Sequence, residues 1–260
     1  VLGLAMRSIK SCQDSGVESN MTFIGFVGLM DPPRDEVKDA IMLCHKAGIK
    51  VKMITGDHPL TAFAIARNLG ITKNEAQVIT GKELDELDDK QLEDRVLNYR
   101  VFARVTPEHK VRIVSACKAH NLVVAMTGDG VNDAPSLKNA DIGIAMGKSG
   151  TDVCKQASDM ILTNDNFATI VEAVEQGRNV YLNIQKAVLY LLSCNLGEIM
   201  SLFLAILLMP HTISPLSAIQ ILWVNLVTDA FPALALGIDP KDAFIMDEKP
   251  RNRKESLFSH

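Results

Sequence analysis

The sequence predicts an α/β domain built on a mainly parallel sheet with flanking helices, followed by a transmembrane helical hairpin. Three observations lead there. Short β-rich runs alternate with helical patterns through roughly the first 180 residues, as βαβ units do. Two apolar runs then follow, 188–209 and 217–238, each about the twenty residues that cross a bilayer as a helix. Between those features, residues 126–137 read MTGDGVNDAPSL: a strand end, a glycine-rich loop, and a helix opened by Pro135.

Taken in order, 23–29 reads as a strand, 36–47 as a helix, 51–54 as a strand and 60–69 as a helix closing at Gly70. Segment 75–98 is acidic and weakly periodic and reads as a surface excursion with one or two short helices. Strands follow at 101–103, 123–126, 142–145 and 160–162, with a helix at 107–119 between the first two. The 260 residues carry a net charge of -4, so electrostatics gives no case for nucleic acid. Five scattered cysteines, with no C-x-x-C pair, argue against a zinc site or a disulfide framework and for a reduced cytosolic setting. The chain opens at Val1 in mid-pattern, which reads as part of a longer protein.

The polar residues fall at strand carboxyl ends, where open α/β sheets bind ligands. Thr55, Gly56 and Asp57 follow one strand, Arg104 a second, and Asp129, Asn132 and Asp133 a third. Lys110 sits in the first turns of a helix, within reach of the same crevice. Paired carboxylates for Mg2+, a hydroxyl, a lysine and backbone amides are the parts phosphoryl transfer requires, because its catalysis is chiefly positioning and charge neutralisation. No candidate nucleophile stands on an early strand. Asp31, in Asp-Pro-Pro-Arg, reads as part of a rigid hinge.

Lys186 precedes the first apolar run, and Lys241, Lys249, Arg251, Arg253 and Lys254 follow the second, whereas the link 210–216 has no Lys or Arg. Positive-inside reasoning puts both outer ends, and the soluble part, in the cytoplasm. Within the runs, Asn195 and Glu198 are three apart, and Asn225, Thr228 and Asp229 stand at i, i+3 and i+4, one helix face for each set. A carboxylate in a bilayer is costly enough to imply a compensating role. These hard oxygen donors suit Ca2+ and argue against copper or zinc, which would call for thiolates. An interhelical hydrogen-bond network is the other reading.

The strings GLMDPPR, MITGD, FARVTPEHK, MTGDGVNDAPSL and WVNLVTD, in this order, resemble the second half of a P-type cation-transporting ATPase. They are most similar to calcium pumps of the sarco/endoplasmic-reticulum type and their bacterial relatives. The resemblance implies a haloacid-dehalogenase-like phosphorylation domain over 1–180, a stalk and transmembrane helices five and six over 181–240, and a cytoplasmic loop over 241–260. It implies Mg2+ at Asp129, with Asn132 and Asp133 holding the loop and the phosphoryl group. Thr55 and Gly56 would contact phosphoryl oxygens, Lys110 would neutralise their charge, Asp57 would shape the site, and Arg104 would lie toward ATP. Asn195, Glu198, Asn225, Thr228 and Asp229 would bind the transported Ca2+. The phosphorylated aspartate of a DKTGT string, the actuator domain and the nucleotide-binding insert are absent and are expected upstream, with further helices beyond the chain. The resemblance thus implies an integral, multi-pass membrane protein, in a bacterial cell membrane or an endoplasmic-reticulum-type membrane. A Na+ or K+ pump, a soluble phosphatase of the haloacid-dehalogenase type, and a piece inactive on its own remain as alternatives.

Overall fold

The computed structural model describes residues 2–8, 18–28, 34–208, 216–253 and 255–256. The expected hinge at 31–34 lies outside them except for Arg34, as does the interhelical link 210–216 except for Leu216. The chain divides into two units, residues 1–34 and 35–260.

In the first unit, strand β1 (Leu2–Met6) pairs antiparallel with β2 (Thr22–Val27). The strand expected at 23–29 is therefore half of an antiparallel pair and has no place in the parallel series. Most side chains of both strands are exposed, including Phe23 and Phe26.

The second unit begins with helix α1 (Asp35–Lys46), strand β3 (Met53–Ile54) and helix α2 (Pro59–Asn68), which ends against Gly70 at φ 77°. The acidic segment is more ordered than its weak periodicity suggested. It supplies strand β4 (Val78–Thr80) and helices α3 (Gly81–Asp85) and α4 (Asp89–Val96), each helix opened by a capping box, at Thr80 and Asp88. Next come β5 (Val101–Ala103), α5 (Pro107–Ala119), β6 (Ala125–Gly128), α6 (Ala134–Asn139), β7 (Ile142–Met146), α7 (Asp152–Ala157) and β8 (Met160–Leu162).

All sheet pairings in this unit are parallel, in two three-stranded sheets ordered β3-β5-β4 and β6-β7-β8. The strands β3 and β6 are thus edges of separate sheets. Shared core nonetheless adjoins them: Ile54 of β3 and Val124 just before β6 each pack against both the Phe102 cluster and the Met126–Leu137 cluster. Phe102, with none of its side chain exposed, anchors the first cluster among Ile79, Leu84, Leu92 and Ile113.

Helix α8 (Phe167–Leu208) runs 42 residues without a break. At 1.5 Å per residue it is roughly 63 Å long, about twice a bilayer's hydrocarbon thickness. Asn166 starts it by accepting the Ala168 N–H at 2.9 Å. Its first turns pack through Val171 against Ala40 and Cys44 of α1 and against Ile245 and Met246, which follow the second apolar helix. Arg178 fastens the same junction, donating to the carbonyls of Ala47, Ile245 and Glu248 at 2.9, 3.0 and 2.9 Å. Helices α9 (Ala218–Trp223) and α10 (Ala230–Gly237) are joined by a π-helical turn, Val224–Asp229, into one second apolar helix. Both helices are long enough to cross a membrane, and within their most apolar stretches almost no residue is buried.

Phe102→Ala removes the largest ring of the core and should cost about 3–5 kcal/mol of stability. Denaturant titration followed by the near-ultraviolet dichroism of Tyr99, whose ring lies edge-on at 6.3 Å, measures it. A change below about 1 kcal/mol would contradict that packing.

Candidate functional site

Helix α5 starts where Thr106 accepts the His109 N–H and His109 Nδ1 accepts the Thr106 N–H, with Pro107 as the first helical residue. That start puts Lys110 in the first turn, facing the loop after β6. Its Nζ lies 2.5 Å from Asp133 Oδ1. The other carboxylate oxygen of Asp133 accepts the N–H groups of Asp129 and Gly130, both at 3.2 Å. Asp133 is 5% exposed, so its charge is sustained by a lysine and two amides in place of water. Gly128 permits this approach. A Cβ there would lie 2.5 Å from the Cβ of Asp133.

The two carbonyls of the loop are held as well. Thr151 N–H donates to the Asp129 carbonyl at 2.9 Å, and the buried Cys154 thiol donates to the Gly130 carbonyl at 2.7 Å. Neither residue stood out in the sequence, because an amide and a thiol that act on a backbone carry no motif. Ser136, fully buried, donates to the Asp133 carbonyl at 2.8 Å and tightens the turn into α6. Asn132 and Asp129 are exposed on the open side.

After β3, Thr55 Oγ1 donates to Asp57 Oδ2 at 2.9 Å and accepts the Asp57 N–H at 3.1 Å, a closed turn that leaves Gly56 uncovered. After β5, Arg104 adopts φ 51°, its N–H donating to the Asp57 carbonyl at 3.1 Å while its side chain is exposed. The turn of Thr55 to Asp57 and Arg104 thus belong to one sheet end, and the Asp129 loop with Lys110 to the other. Among the described residues no three His, Cys, Asp or Glu side chains cluster. That donor set fits Mg2+, which relies on one or two carboxylates, waters and substrate phosphate oxygens. Asp133 is engaged on both oxygens, so Asp129 is the loop carboxylate that stays open to solvent.

A second polar group lies between the apolar helices. Asp229, 4% exposed, keeps Oδ2 without a partner, and Glu198 Oε1 is likewise buried and unpaired. Such orphans are rare in proteins and call for a ligand or cation. Asn195 and Asn225 donate their side-chain N–H groups to the carbonyls four residues earlier, Leu191 and Ile221, at 2.7 and 3.1 Å. Their amide oxygens remain as acceptors. Of the face expected for Asn225, Thr228 and Asp229, the structure turns Asn225 and Asp229 inward and leaves Thr228 outside. The three lie in the π-helical turn, whose wider winding leaves Thr228 exposed, Asn225 half-buried and Asp229 buried. It is the Thr228 carbonyl that turns inward, accepting from the Tyr190 hydroxyl at 3.4 Å.

Comparison with known proteins follows the same division. A model of haloacid dehalogenase-like hydrolases matches residues 9–141, and one of the C-terminus of cation transporting ATPases matches 213–260. Calcium-transporting ATPase 1 of Bacillus cereus is 60% identical over 94% of the chain, and a calcium-transporting ATPase of Bacillus subtilis is 50% identical over 99%. The chain spans only 27% and 29% of those relatives' lengths. Among solved structures, a zinc-transporting PIB-type ATPase superposes with a TM-score of 0.57 and 28% identity, over 84% of this chain and 29% of that one.

Two outcomes test the geometry of the loop. Lys110→Met leaves the buried Asp133 charge with amides alone and should destabilise the chain by about 3 kcal/mol or more, read by denaturant titration. The second concerns Asp165, whose carboxyl is held at about 2, below the usual range, first by the Lys148 amide and further by those of Ser149 and Gly147. Because the folded value is depressed, the stabilisation is fully present above the ordinary value of 3.8 and is lost as pH falls through about 2. Carboxyl carbon chemical shifts of Asp165, recorded from pH 5 downward, should show no midpoint near 3.8.

Proposed function

Since the chain belongs to the haloacid dehalogenase-like hydrolase family and, within it, is a stretch of a P-type cation-transporting ATPase, we propose that it forms the phosphoryl-transfer site and part of the ion pathway of an ATP-driven Ca2+ pump. The observation that carries this reading is the pair of buried, unpartnered carboxylate oxygens, Glu198 Oε1 and Asp229 Oδ2, on the two apolar helices. In hydrocarbon such groups demand a cation or a proton. Two carboxylates with amide and backbone oxygens make a hard donor set, which favours Ca2+ over the softer zinc of the structural neighbour. The names of the two Bacillus relatives support the same ion. Na+ or K+ is the second reading, since the same oxygens ligate monovalent ions.

In the soluble part, Asp129 would hold Mg2+, and when bound that ion neutralises charge on the transferring phosphoryl group. Lys110 and Asp133 keep the loop closed beneath Asp129. Gly56 offers an uncovered amide to phosphoryl oxygens, the Thr55 hydroxyl would join it by exchanging its bond to Asp57 for one to the substrate, Asn132 offers an amide from the opposite side, and Arg104 extends toward the nucleotide. The phosphate acceptor is an aspartate outside this sequence, which has no DKTGT string. A parallel strand delivering it could pair with the free edges of β3 and β6, joining the two sheets and setting the acceptor between Thr55 and Asp129. On its own the chain should not turn over ATP. In its membrane, a bacterial one by its relatives, the soluble part faces the cytoplasm, because Lys186 and the basic residues after Asp239 flank the hairpin on that side.

Acid-stable phosphoenzyme from radiolabelled ATP, formed by the full-length pump, tests the proposal. Label should require free Ca2+, should need higher Ca2+ or vanish in Glu198→Ala and Asp229→Ala, and should be lost in Asp129→Ala whatever the Ca2+. Label that responds to Na+ or K+ instead would transfer the site to the second reading. The absence of label with every ion would refute the reaction.

A further inference from the structure

The backbone groups of Asp129 and Gly130 make five hydrogen bonds, three with Asp133, whose own N–H also reaches the Gly130 carbonyl at 2.9 Å, and two with groups beyond the loop. Asp133 takes the two N–H groups of Asp129 and Gly130. Their two carbonyls are taken by Thr151 N–H and Cys154 Sγ. The direction in which Asp129 points therefore depends on where residues 147–154 lie. At its far end that segment is anchored by Cys154, fully buried in the Met126–Leu137 cluster. Gly147 N–H reaches the Leu162 carbonyl at 2.9 Å, and Gly150 passes so close to the Met146 carbonyl that no Cβ could be accommodated. Thr151 caps the short helix α7 through the Cys154 amide.

At its near end the restraint is a pair of charge-assisted hydrogen bonds. Asp165 Oδ1 accepts the Lys148 N–H at 2.9 Å and Oδ2 accepts the Ser149 N–H at 2.8 Å, so one carboxylate closes on two successive amides. Asp165 stands at φ 54°, a left-handed conformation that Asp tolerates better than most residues, and its own N–H returns to the Leu162 carbonyl at 3.2 Å. The next residue, Asn166, is the cap of α8. The carboxylate thus sits in the turn from which the 42-residue helix departs toward Glu198.

We propose that Asp165 is a positioning residue of the phosphoryl site, which fixes the Asp129 loop through residues 147–154 and fastens that loop to the origin of α8. This rests on the functional reading above for its phosphoryl part, but the mechanical tie stands on the hydrogen bonds alone. The chemical consequence is specific. Loosening the tie should weaken Mg2+ capture by Asp129 and leave transfer at saturating Mg2+ nearly unchanged, because Asp129, Lys110 and Asp133 are all still present.

The experiment has two arms. In the chain itself, in detergent micelles, amide hydrogen exchange is followed at Asp129 and Gly130. Asp165→Asn keeps the left-handed turn and one acceptor oxygen, and it should speed exchange there roughly tenfold while Phe102 in β5 is unaffected. Cys154→Ala should act in the same direction, and Cys154→Ser, which keeps a donor, should restore protection. In the full-length pump, the Mg2+ concentration for half-maximal phosphorylation should rise roughly tenfold in Asp165→Asn and Cys154→Ala, with the maximal level altered less than about twofold. Unchanged exchange at Asp129 and Gly130 in a folded Asp165→Asn chain would overturn the proposal, as would a fall in maximal phosphorylation without a shift in the Mg2+ requirement. Should Asp165→Asn fail to fold, Asp165→Glu, which keeps the charge but moves it a methylene away from the Lys148 and Ser149 amides, decides between the same outcomes. A wild-type pump that forms no phosphoenzyme would defeat the functional reading, and the exchange arm would still settle the tie.

Discussion

The buried carboxylate of Asp133 is the constraint from which the soluble half of the chain takes its form. A charge 5% exposed is tolerated only with compensation, and here the compensation is a lysine 23 residues earlier and two amides of its own loop. Each demand propagates. Lys110 must sit in the first turn of α5, which the Thr106 box and Pro107 secure. Gly128 must lack a side chain, and the loop must turn tightly enough for two successive N–H groups to converge on one oxygen. What emerges is a loop whose backbone is spent inward while the Asp129 carboxylate stays exposed. The difference between two aspartates four positions apart is thus a result of burial: one is neutralised by the protein, the other stays open to solvent, where the proposed Mg2+ would bind.

The same logic runs in reverse between the apolar helices. There one oxygen each of Glu198 and Asp229 is buried without an internal partner, and Asn195 and Asn225 each donate to a carbonyl of their own helix. The π-helical turn is part of this. Pro232, four residues on, has no N–H for the Thr228 carbonyl, which accepts the Tyr190 hydroxyl, and Asp229 lies buried at the end of the wider winding. Irregular backbone in an apolar helix is tolerated where it lines a polar site, so the turn and the unpaired carboxylates have one explanation between them.

Much of this was legible in the sequence, for reasons that also mark where reading stopped. The strands β5 and β8, helix α5 and the parallel arrangement follow from β-branched runs, Pro107 and alternation, all local signals. Strand β4 was hidden because three residues in an acidic stretch carry no periodicity, and it forms only because β5 offers an edge. Strand β2 was seen, but its antiparallel partner β1 was not, and pairing direction is a property of two segments at once. The candidate polar residues could be found because they stand in motifs. Thr151, Cys154 and Tyr190 could not, since each acts on a carbonyl distant in sequence and any residue with a donor would read the same.

Connectivity joins the two polar centres more directly than distance suggests. Helix α8 begins one residue after the turn that clamps residues 148 and 149 and ends beyond Glu198, with no proline or break between. Along its first third it is also held from the side, by Arg178 on three carbonyls and by the ring of Tyr181 beneath Arg251 at 3.7 Å. A helix fixed at its origin to one loop and braced by a second segment moves as a rod, since an uninterrupted α-helix stores little deformation along its axis. Displacement at the Asp129 loop would therefore reach Asn195 and Glu198 as rotation or tilt and would not be absorbed on the way. The bracing segment, residues 239–251, issues from the end of α10, and Asn183 and Lys186 bind it to α8 through Asp239 at 2.9 and 2.6 Å. Both apolar helices are accordingly tied to the same junction, so the carboxylate on each would respond together to one movement of the soluble domain.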